Sequence, residues 1–122
     1  MKREPEQKLA AVAWAHGFFW VLSGIWPLMH MGSFLAVSGP KHDLWLVKTV
    51  GLLLAVIGVV LVMAGRNKRV TPEIIVLAIG AAAALIGIDV YYALRGVIWK
   101  IYLLDAAVEA AIIAAWIWAM RR

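Results

Sequence analysis

Four long apolar segments, separated by short polar ones, dominate the chain. A transmembrane helix needs about 20 mostly apolar residues to cross a hydrocarbon core of about 30 Å. Leu9 to Pro40 carry no formal charge, and another apolar run extends from Leu44 to Gly65. Together with two later runs, this pattern predicts transmembrane helices over residues 9–32, 44–65, 74–94 and 97–120.

Turn-forming and helix-starting residues mark the boundaries of these segments. The Gly39-Pro40 pair predicts a turn after the first segment, and the run Arg66-Asn67-Lys68-Arg69, with three basic residues, ends the second. Pro72 fits the first position of a helix, where its missing N–H costs nothing. Pro27 predicts a kink near the outer end of the first helix.

The third and fourth segments cross a membrane only if they carry acidic residues into it. The uncharged stretch between Glu73 and Asp89 is too short for a span, as is the one between Glu109 and Arg121. The alternative, two short interfacial helices, would expose very apolar faces to water. We therefore expect an all-α integral membrane protein whose residues 1–122 form a single domain, a four-transmembrane-helix bundle.

Composition agrees with a membrane location and excludes some chemistry. Of the 122 residues, 65% are hydrophobic and 16% charged, whereas soluble domains average about 45–50% apolar and about 25% charged residues. The absence of cysteine excludes disulfides and thiolate metal sites. A net charge of +5 would suggest nucleic acid in a soluble protein, but the basic residues lie between apolar runs. Membrane lipid, and not nucleic acid, is the expected partner.

Basic residues near the segment ends predict the orientation, because cytoplasmic loops carry the excess of Lys and Arg. One side of the membrane would hold Lys2, Arg3, Lys8, Arg66, Lys68, Arg69, Arg121 and Arg122. The other side would hold Lys41, Lys48, Arg95 and Lys100. Both termini are therefore expected in the cytoplasm of a bacterial or archaeal cell, with the chain in its plasma membrane. The aromatic residues suited to an outer interfacial belt are Trp26, Trp45, Tyr91, Tyr92, Trp99 and Tyr102, and those suited to an inner one are Trp116 and Trp118.

Small residues predict the faces on which the helices pack, because they let backbones approach in lipid. The second segment has such a stripe at helical spacing, and continuing it by three residues reaches Lys48, which we therefore expect to face the interior. Its members are Gly51, Ala55, Gly58, Val62 and Gly65. The third segment has a similar stripe of Gly80, Ala84 and Gly87.

Ionisable residues of three helices are expected to meet in the outer half of the bundle. Glu109 lies near the middle of its segment, and Asp105, Asp89 and Lys48 lie further outward. Each such charge costs about 2.5–3.5 kcal/mol near the membrane centre, so a chain that only needed to span would avoid them. Because three carboxylates and one ammonium cannot all stay ionised there, we expect Lys48 to pair with an aspartate and Glu109 to be protonated. A purely structural ion pair of Lys48 remains an alternative.

Two tyrosines extend this acidic group. Tyr102 shares a helix face with Asp105 and Glu109, and Tyr92 neighbours Asp89. The candidate ligand-binding residues are Lys48, Asp89, Tyr92, Tyr102, Asp105 and Glu109, of which Glu109, Asp105 and Tyr102 are also candidate catalytic residues. His16 is interpreted as a packed, hydrogen-bonded histidine on the inner half, away from the acids. Because no phosphate-binding glycine loop, His-Glu-x-x-His motif or nucleophile elbow occurs, no cofactor or metal is expected.

In size and number of predicted spans the chain is similar to the small multidrug resistance transporters, four-helix proteins with one membrane carboxylate. That family carries its essential glutamate in the first span. Here residues 9–32 contain no acid, and the carboxylates lie in the third and fourth segments. The chain is therefore not assigned to that family.

Three functions fit the pattern. The first is a binding protein, or a transporter, for a proton or a lipophilic cationic small molecule, with aromatic walls for cation–π contacts. Four helices enclose little volume, so transport would call for a homodimer. The second is a membrane-embedded acid–base enzyme, an isomerase or hydrolase, that acts on a lipid-soluble substrate. The third is an accessory or structural membrane subunit whose polar groups fix helix pairing.

Overall fold

The computed structural model describes residues 3–121, and side chains from residue 6 onward. Within this range the secondary structure is entirely helical. The five helices are α1 (Arg3–Met29), α2 (Met31–Ser38), α3 (Leu44–Arg66), α4 (Pro72–Leu94) and α5 (Ile101–Met120). Lys2 and Arg122, which contribute to the predicted orientation, lie outside the described residues, and so does the side chain of Arg3.

Four of these helices are long and apolar enough to cross a membrane. The candidate spans are Glu6–Met29, Leu44–Arg66, Pro72–Leu94 and Ile101–Met120. The prediction of four membrane-crossing helices is confirmed to this extent. The acids of the third and fourth segments lie within continuous helices, as the apolar pattern required.

The C-terminal end of the first segment differs from the prediction, because one helix over residues 9–32 is replaced by two. Pro27 lies in the last turn of α1, where it has no N–H to donate. The chain leaves helical geometry at His30, with φ −151° and ψ 82°, and α2 then begins. The His30 ring caps α2 by accepting the backbone N–H of Ser33 at 3.0 Å.

The boundaries of α4 and α5 follow local chemistry. Thr71 caps α4 by accepting the backbone N–H of Ile74 at 3.3 Å, and Pro72 occupies the first turn as predicted. α4 ends at Leu94. Gly96 then takes a positive φ of 76°, which only glycine adopts without strain. A turn therefore replaces the first residues of the predicted fourth span, and α5 starts at Ile101.

The predicted small-residue stripe on α3 packs against α1. A methyl group added at Gly58 would lie 2.6 Å from the Gly17 carbonyl oxygen, and one added at Gly51 would lie 2.6 Å from that of Gly24. Since real Cβ atoms do not come this close to a backbone oxygen, only glycine allows the helices to approach so far. The prediction for this face of α3 is confirmed.

The corresponding prediction for α4 is wrong. Gly80, Ala84 and Gly87 are exposed, and no atom lies within 4 Å of a methyl group built on either glycine. The buried residues of α4 instead lie on another face and are Ala78, Ala82, Asp89 and Ala93. Because the stripe of alanines also provides small residues at helical spacing, the sequence offers two possible packing faces, and α5 covers the alanine face.

Helix contacts run in the order α3, α1, α5 and α4. α1 packs closely along α3 and also contacts α5, while α4 packs mainly on α5 and touches α3 only slightly. The core that joins these helices contains eight buried residues, Val12, Ala13, Trp20, Leu61, Ala78, Ala82, Trp116 and Ala119. Two tryptophans are thus the largest side chains at the α1–α5 contact, where apolar packing also positions the polar groups described next.

Candidate functional site

Glu109 is buried where α5 faces α1. Only 1% of the residue's surface is exposed. The indole N–H of Trp20, one of the fully buried residues of α1, lies 3.2 Å from Oε1 and 3.1 Å from Oε2 of the carboxyl group. Both oxygens therefore share one donor that is supplied by the neighbouring helix.

A second tryptophan fixes the state of His16. The indole N–H of Trp116 on α5 donates to Nδ1 of His16 on α1 at 3.0 Å. Nδ1 can accept this bond only if it carries no proton, so the imidazole is neutral and its proton resides on Nε2. Nε2 has no hydrogen-bond partner and lies 4.0 Å from Oε1 of Glu109, beyond hydrogen-bonding distance. His16 thus presents a buried donor that nothing in the described part of the chain satisfies.

Two more carboxyl groups continue from Glu109 toward α4. Asp105 lies one helical turn before Glu109 and is close enough to interact with it electrostatically. Asp105 is also close enough to Asp89 on α4 for the two carboxyl groups to interact. Asp89 is 4% exposed, and its Oδ2 has no partner among the described residues.

The resulting group, His16, Glu109, Asp105 and Asp89, is called the polar chain below. It passes from α1 through α5 to α4. The acids of the two predicted segments therefore lie together, as expected, but the histidine does too. The expectation that His16 is away from the acids is wrong, because His16 lies near the middle of the span Glu6–Met29, at the same level as Glu109 near the middle of α5.

Trp20 and Trp116 complete the polar chain, and neither was among the predicted site residues. Trp116 was expected at the inner interface, yet it is fully buried and bonded to His16. The available signal was spacing. Glu109 and Trp116 lie seven residues apart, and His16 and Trp20 lie four apart, so each pair shares one helix face.

Lys48 does not join the acids. Its side chain is exposed, and no carboxylate lies within ion-pair distance of it in the described structure. The expectation of an inward Lys48 paired with Asp89 or Asp105 is therefore wrong. Lys48 lies one turn before Gly51, near the end of the contact with α1, and its long side chain turns to the exposed surface there.

The two candidate tyrosines have other neighbours. Lys41 holds its ammonium group 5.1 Å from the ring centroid of Tyr102 and 5.1 Å from that of Phe34. The same ammonium donates to Ser38 Oγ at 2.8 Å and so ties the end of α2 to the start of α5. Tyr92 packs edge-on against Tyr91. Neither tyrosine has a hydrogen bond to a carboxyl group in the described residues, and their proposed roles in a site remain predictions.

A groove between α1 and α5 reaches the polar chain from the side. Its volume is about 370 Å³, and it is lined by His16 together with alanine, valine, isoleucine and phenylalanine side chains. No carboxyl group lines it. A ligand in this groove would therefore meet hydrocarbon walls almost entirely, because the His16 side chain has no exposed surface.

The polar chain is not arranged as a metal site. Among residues 6–121, no three histidine or acidic side chains converge as metal ligands. Comparison with known proteins adds no assignment, because no protein-family model, curated protein or solved structure matches the chain.

Proposed function

We propose that the chain is a multi-pass integral membrane protein that binds and exchanges a proton at Glu109. The observation that carries this proposal is the burial of Glu109 beside His16 and Asp105, in a helix that is apolar enough to span a membrane. Ionisable groups inside spans are costly and commonly form proton relays. A protein that needed only to pack would satisfy Trp20 more cheaply with a group that cannot ionise.

The polar chain supports a proton as the bound species in preference to an organic cation. Glu109 and Asp89 are almost completely buried, which leaves no surface for a bulky ligand to contact. The groove beside them offers no counter-charge. A proton needs no cavity, and it can pass between neighbouring carboxyl groups such as those of Glu109 and Asp105 after small side-chain movements.

The proposal places the four long helices as a bundle with both termini in the cytoplasm. The proximity of basic residues from different helices supports this orientation. Lys8 of α1 donates to the backbone oxygen of Arg121, just after α5, at 3.2 Å. Leu9, near the start of α1, also lines a pocket together with Lys68 and Arg69 of the α3–α4 connection. The start of α1, the end of α5 and this basic connection therefore lie at one end of the molecule.

Infrared titration of the purified protein tests the proton site. Wild type should show a carboxylic C=O band that changes between pH 5 and pH 9, and Glu109→Gln should lose that change. Glu73→Gln is the matched control, because Glu73 is exposed at the start of α4 and should leave the change intact. Identical spectra for wild type and Glu109→Gln would contradict the proposal.

Proton exchange across the membrane needs a second measurement. Vesicles that contain the protein and an internal pH-sensitive dye should acidify after an external pH drop faster than empty vesicles. Glu109→Gln should return the rate to that of empty vesicles if the polar chain conducts protons, and Glu73→Gln should not. A rate equal to that of empty vesicles for wild type would show binding without transport.

A further inference from the structure

We propose that a pocket beside the start of α1 binds the headgroup of a phospholipid that carries both a phosphate and a primary amine, as phosphatidylethanolamine does. The inference goes beyond the proposed function, since it concerns a lipid and not the proton at Glu109. The pocket has a volume of about 280 Å³. Its lining residues are Glu6 and Leu9 of α1 and Lys68, Arg69, Val70 and Thr71 of the α3–α4 connection.

The pocket lies at the depth of lipid headgroups. Three candidate spans have an end beside it, since one begins at Glu6, the next ends at Arg66 and the third begins at Pro72. The headgroup layer of a bilayer begins where its hydrocarbon core of about 30 Å ends. The charged lining residues therefore lie level with phosphates and amines, and the half-buried Leu9 and Val70 add an apolar wall for the first acyl carbons.

The backbone at Lys68 indicates that its side chain has a role. α3 ends in a Schellman turn, in which the backbone N–H of Arg69 donates to the Ala64 oxygen at 2.9 Å and that of Lys68 donates to the Gly65 oxygen at 3.2 Å. Lys68 takes a φ of 55°, a left-handed conformation that favours glycine at this position. Side chains held in such conformations cluster at ligand-binding sites. A lysine stands here although glycine would make the turn more stable.

Three donors of the α3–α4 connection suit a phosphate group. Lys68 and Arg69 are both exposed cations on the pocket wall. The hydroxyl oxygen of Thr71 accepts the backbone N–H of Ile74 at 3.3 Å, which leaves the hydroxyl proton available for donation. Charged and hydroxyl donors of this kind bind phosphate oxygens, and basic pockets at the membrane surface bind lipid headgroups.

A carboxylate in the same pocket selects the headgroup. Glu6 lines the pocket together with Lys68 and Arg69, yet among residues 6–121 no ion pair joins it to either cation. A headgroup with only a phosphate would leave this carboxylate unpaired and would be repelled by it. A phosphate joined to an ammonium by a two-carbon linker offers a partner to both signs of charge. Charge complementarity therefore favours a zwitterionic headgroup with N–H donors over an anionic one.

Lipid competition, followed by native mass spectrometry, tests this selectivity. The full chain, freed of lipid in detergent, is mixed with equal amounts of phosphatidylethanolamine and phosphatidylglycerol that have the same acyl chains. Wild type should carry roughly threefold more phosphatidylethanolamine, as one exposed ion pair allows. Equal occupancy, or an excess of phosphatidylglycerol, would overturn the proposal.

Charge-neutralising variants locate the bound headgroup. Glu6→Gln should remove the preference, whereas Glu73→Gln, at an exposed acid outside the pocket, should retain it. Lys68→Gln should lower the occupancy of both lipids roughly fivefold, because both carry the phosphate. Lys48→Gln, at an exposed lysine of α3 outside the pocket, should leave the occupancy unchanged. A preference that survives Glu6→Gln, or an occupancy that survives Lys68→Gln, would overturn the proposal.

Lys68→Gly separates lipid binding from folding. Glycine adopts a φ of 55° without strain, so the variant should melt at a higher temperature than wild type in lipid-free detergent and yet bind both lipids more weakly. A lysine with a merely structural role would not give this combination. Undiminished lipid occupancy, or a lower melting temperature, would contradict the role assigned to Lys68.

The soluble headgroup distinguishes a lipid from a water-soluble ligand of the same chemistry. Glycerophosphoethanolamine has the phosphate and the amine but no acyl chains, so it should fail to displace bound phosphatidylethanolamine at equal concentration. Displacement would assign the pocket to a soluble compound and would overturn the lipid assignment.

Discussion

Trp20 and Trp116 direct their indole N–H groups at Glu109 and His16, the two members of the polar chain that meet where α1 faces α5. Each tryptophan is fully buried and reaches across from one helix to the other, so the two bonds cross-link α1 and α5. A tryptophan N–H can only donate. Its partners must therefore present lone pairs, which is why the imidazole has its free proton on Nε2.

Removing the Trp20 donor should destabilise the fold. Trp20→Phe leaves both oxygens of Glu109 without their partner and is expected to cost about 1–3 kcal/mol in the free energy of unfolding. Trp14→Phe is the matched control, because Trp14 is 48% exposed and stacks only on Phe18. Its effect should stay within about 0.5 kcal/mol. Unfolding in mixed detergent micelles measures both, and equal losses would contradict a specific role for the N–H.

At the scale of the helices, two faces that are rich in small residues differ in whether another helix covers them. Gly58 of α3 lies against the backbone of α1, whereas Gly80 of α4 has no atom within 4 Å of an added methyl group. A glycine-to-alanine substitution at each position therefore tests whether the glycine is needed for close helix approach or only lowers the helix propensity.

Gly58→Ala and Gly80→Ala should change stability with opposite sign. The methyl at Gly58 would meet the Gly17 carbonyl oxygen at 2.6 Å, and forcing the helices apart is expected to cost about 1–3 kcal/mol. Gly80→Ala should gain about 0.5–1 kcal/mol from improved helix propensity. Thermal unfolding in detergent, read by circular dichroism, distinguishes the two. A loss at Gly80 as large as that at Gly58 would show that another surface covers this face of α4.

Apolar length and helix-start chemistry were sufficient to predict the four long helices and the start of α4 at Pro72. Periodicity placed Glu109 on the inner face of its helix, where the structure buries it. Helix pairing could not be predicted in this way, because a single-helix pattern does not say which neighbour covers which face. The errors at Lys48, His16 and the α4 stripe all follow from unknown pairing.

At the scale of the whole molecule, the two ends differ in chemistry. One end joins the start of α1, the α3–α4 connection and the end of α5, where Lys8 also lies 4.8 Å from the Trp118 ring centroid. The opposite end carries α2, with Lys41 held between Phe34 and Tyr102. More basic residues gather at the first end, and the orientation that we propose puts that end in the cytoplasm.

Single cysteines can test this orientation directly, because the natural chain has none and every introduced thiol is unique. Asn67→Cys lies in the exposed α3–α4 connection, and His42→Cys lies in the exposed loop after α2. In intact cells a membrane-impermeant maleimide should label the cysteine at position 42 but not the one at position 67, and permeabilised cells should show labelling of both. Both positions are exposed loops, so a difference in labelling reports the membrane and not local burial. The reverse pattern would place the termini outside the cell and would contradict the proposed orientation. Labelling of both cysteines in intact cells would show that the four helices do not form the proposed bundle.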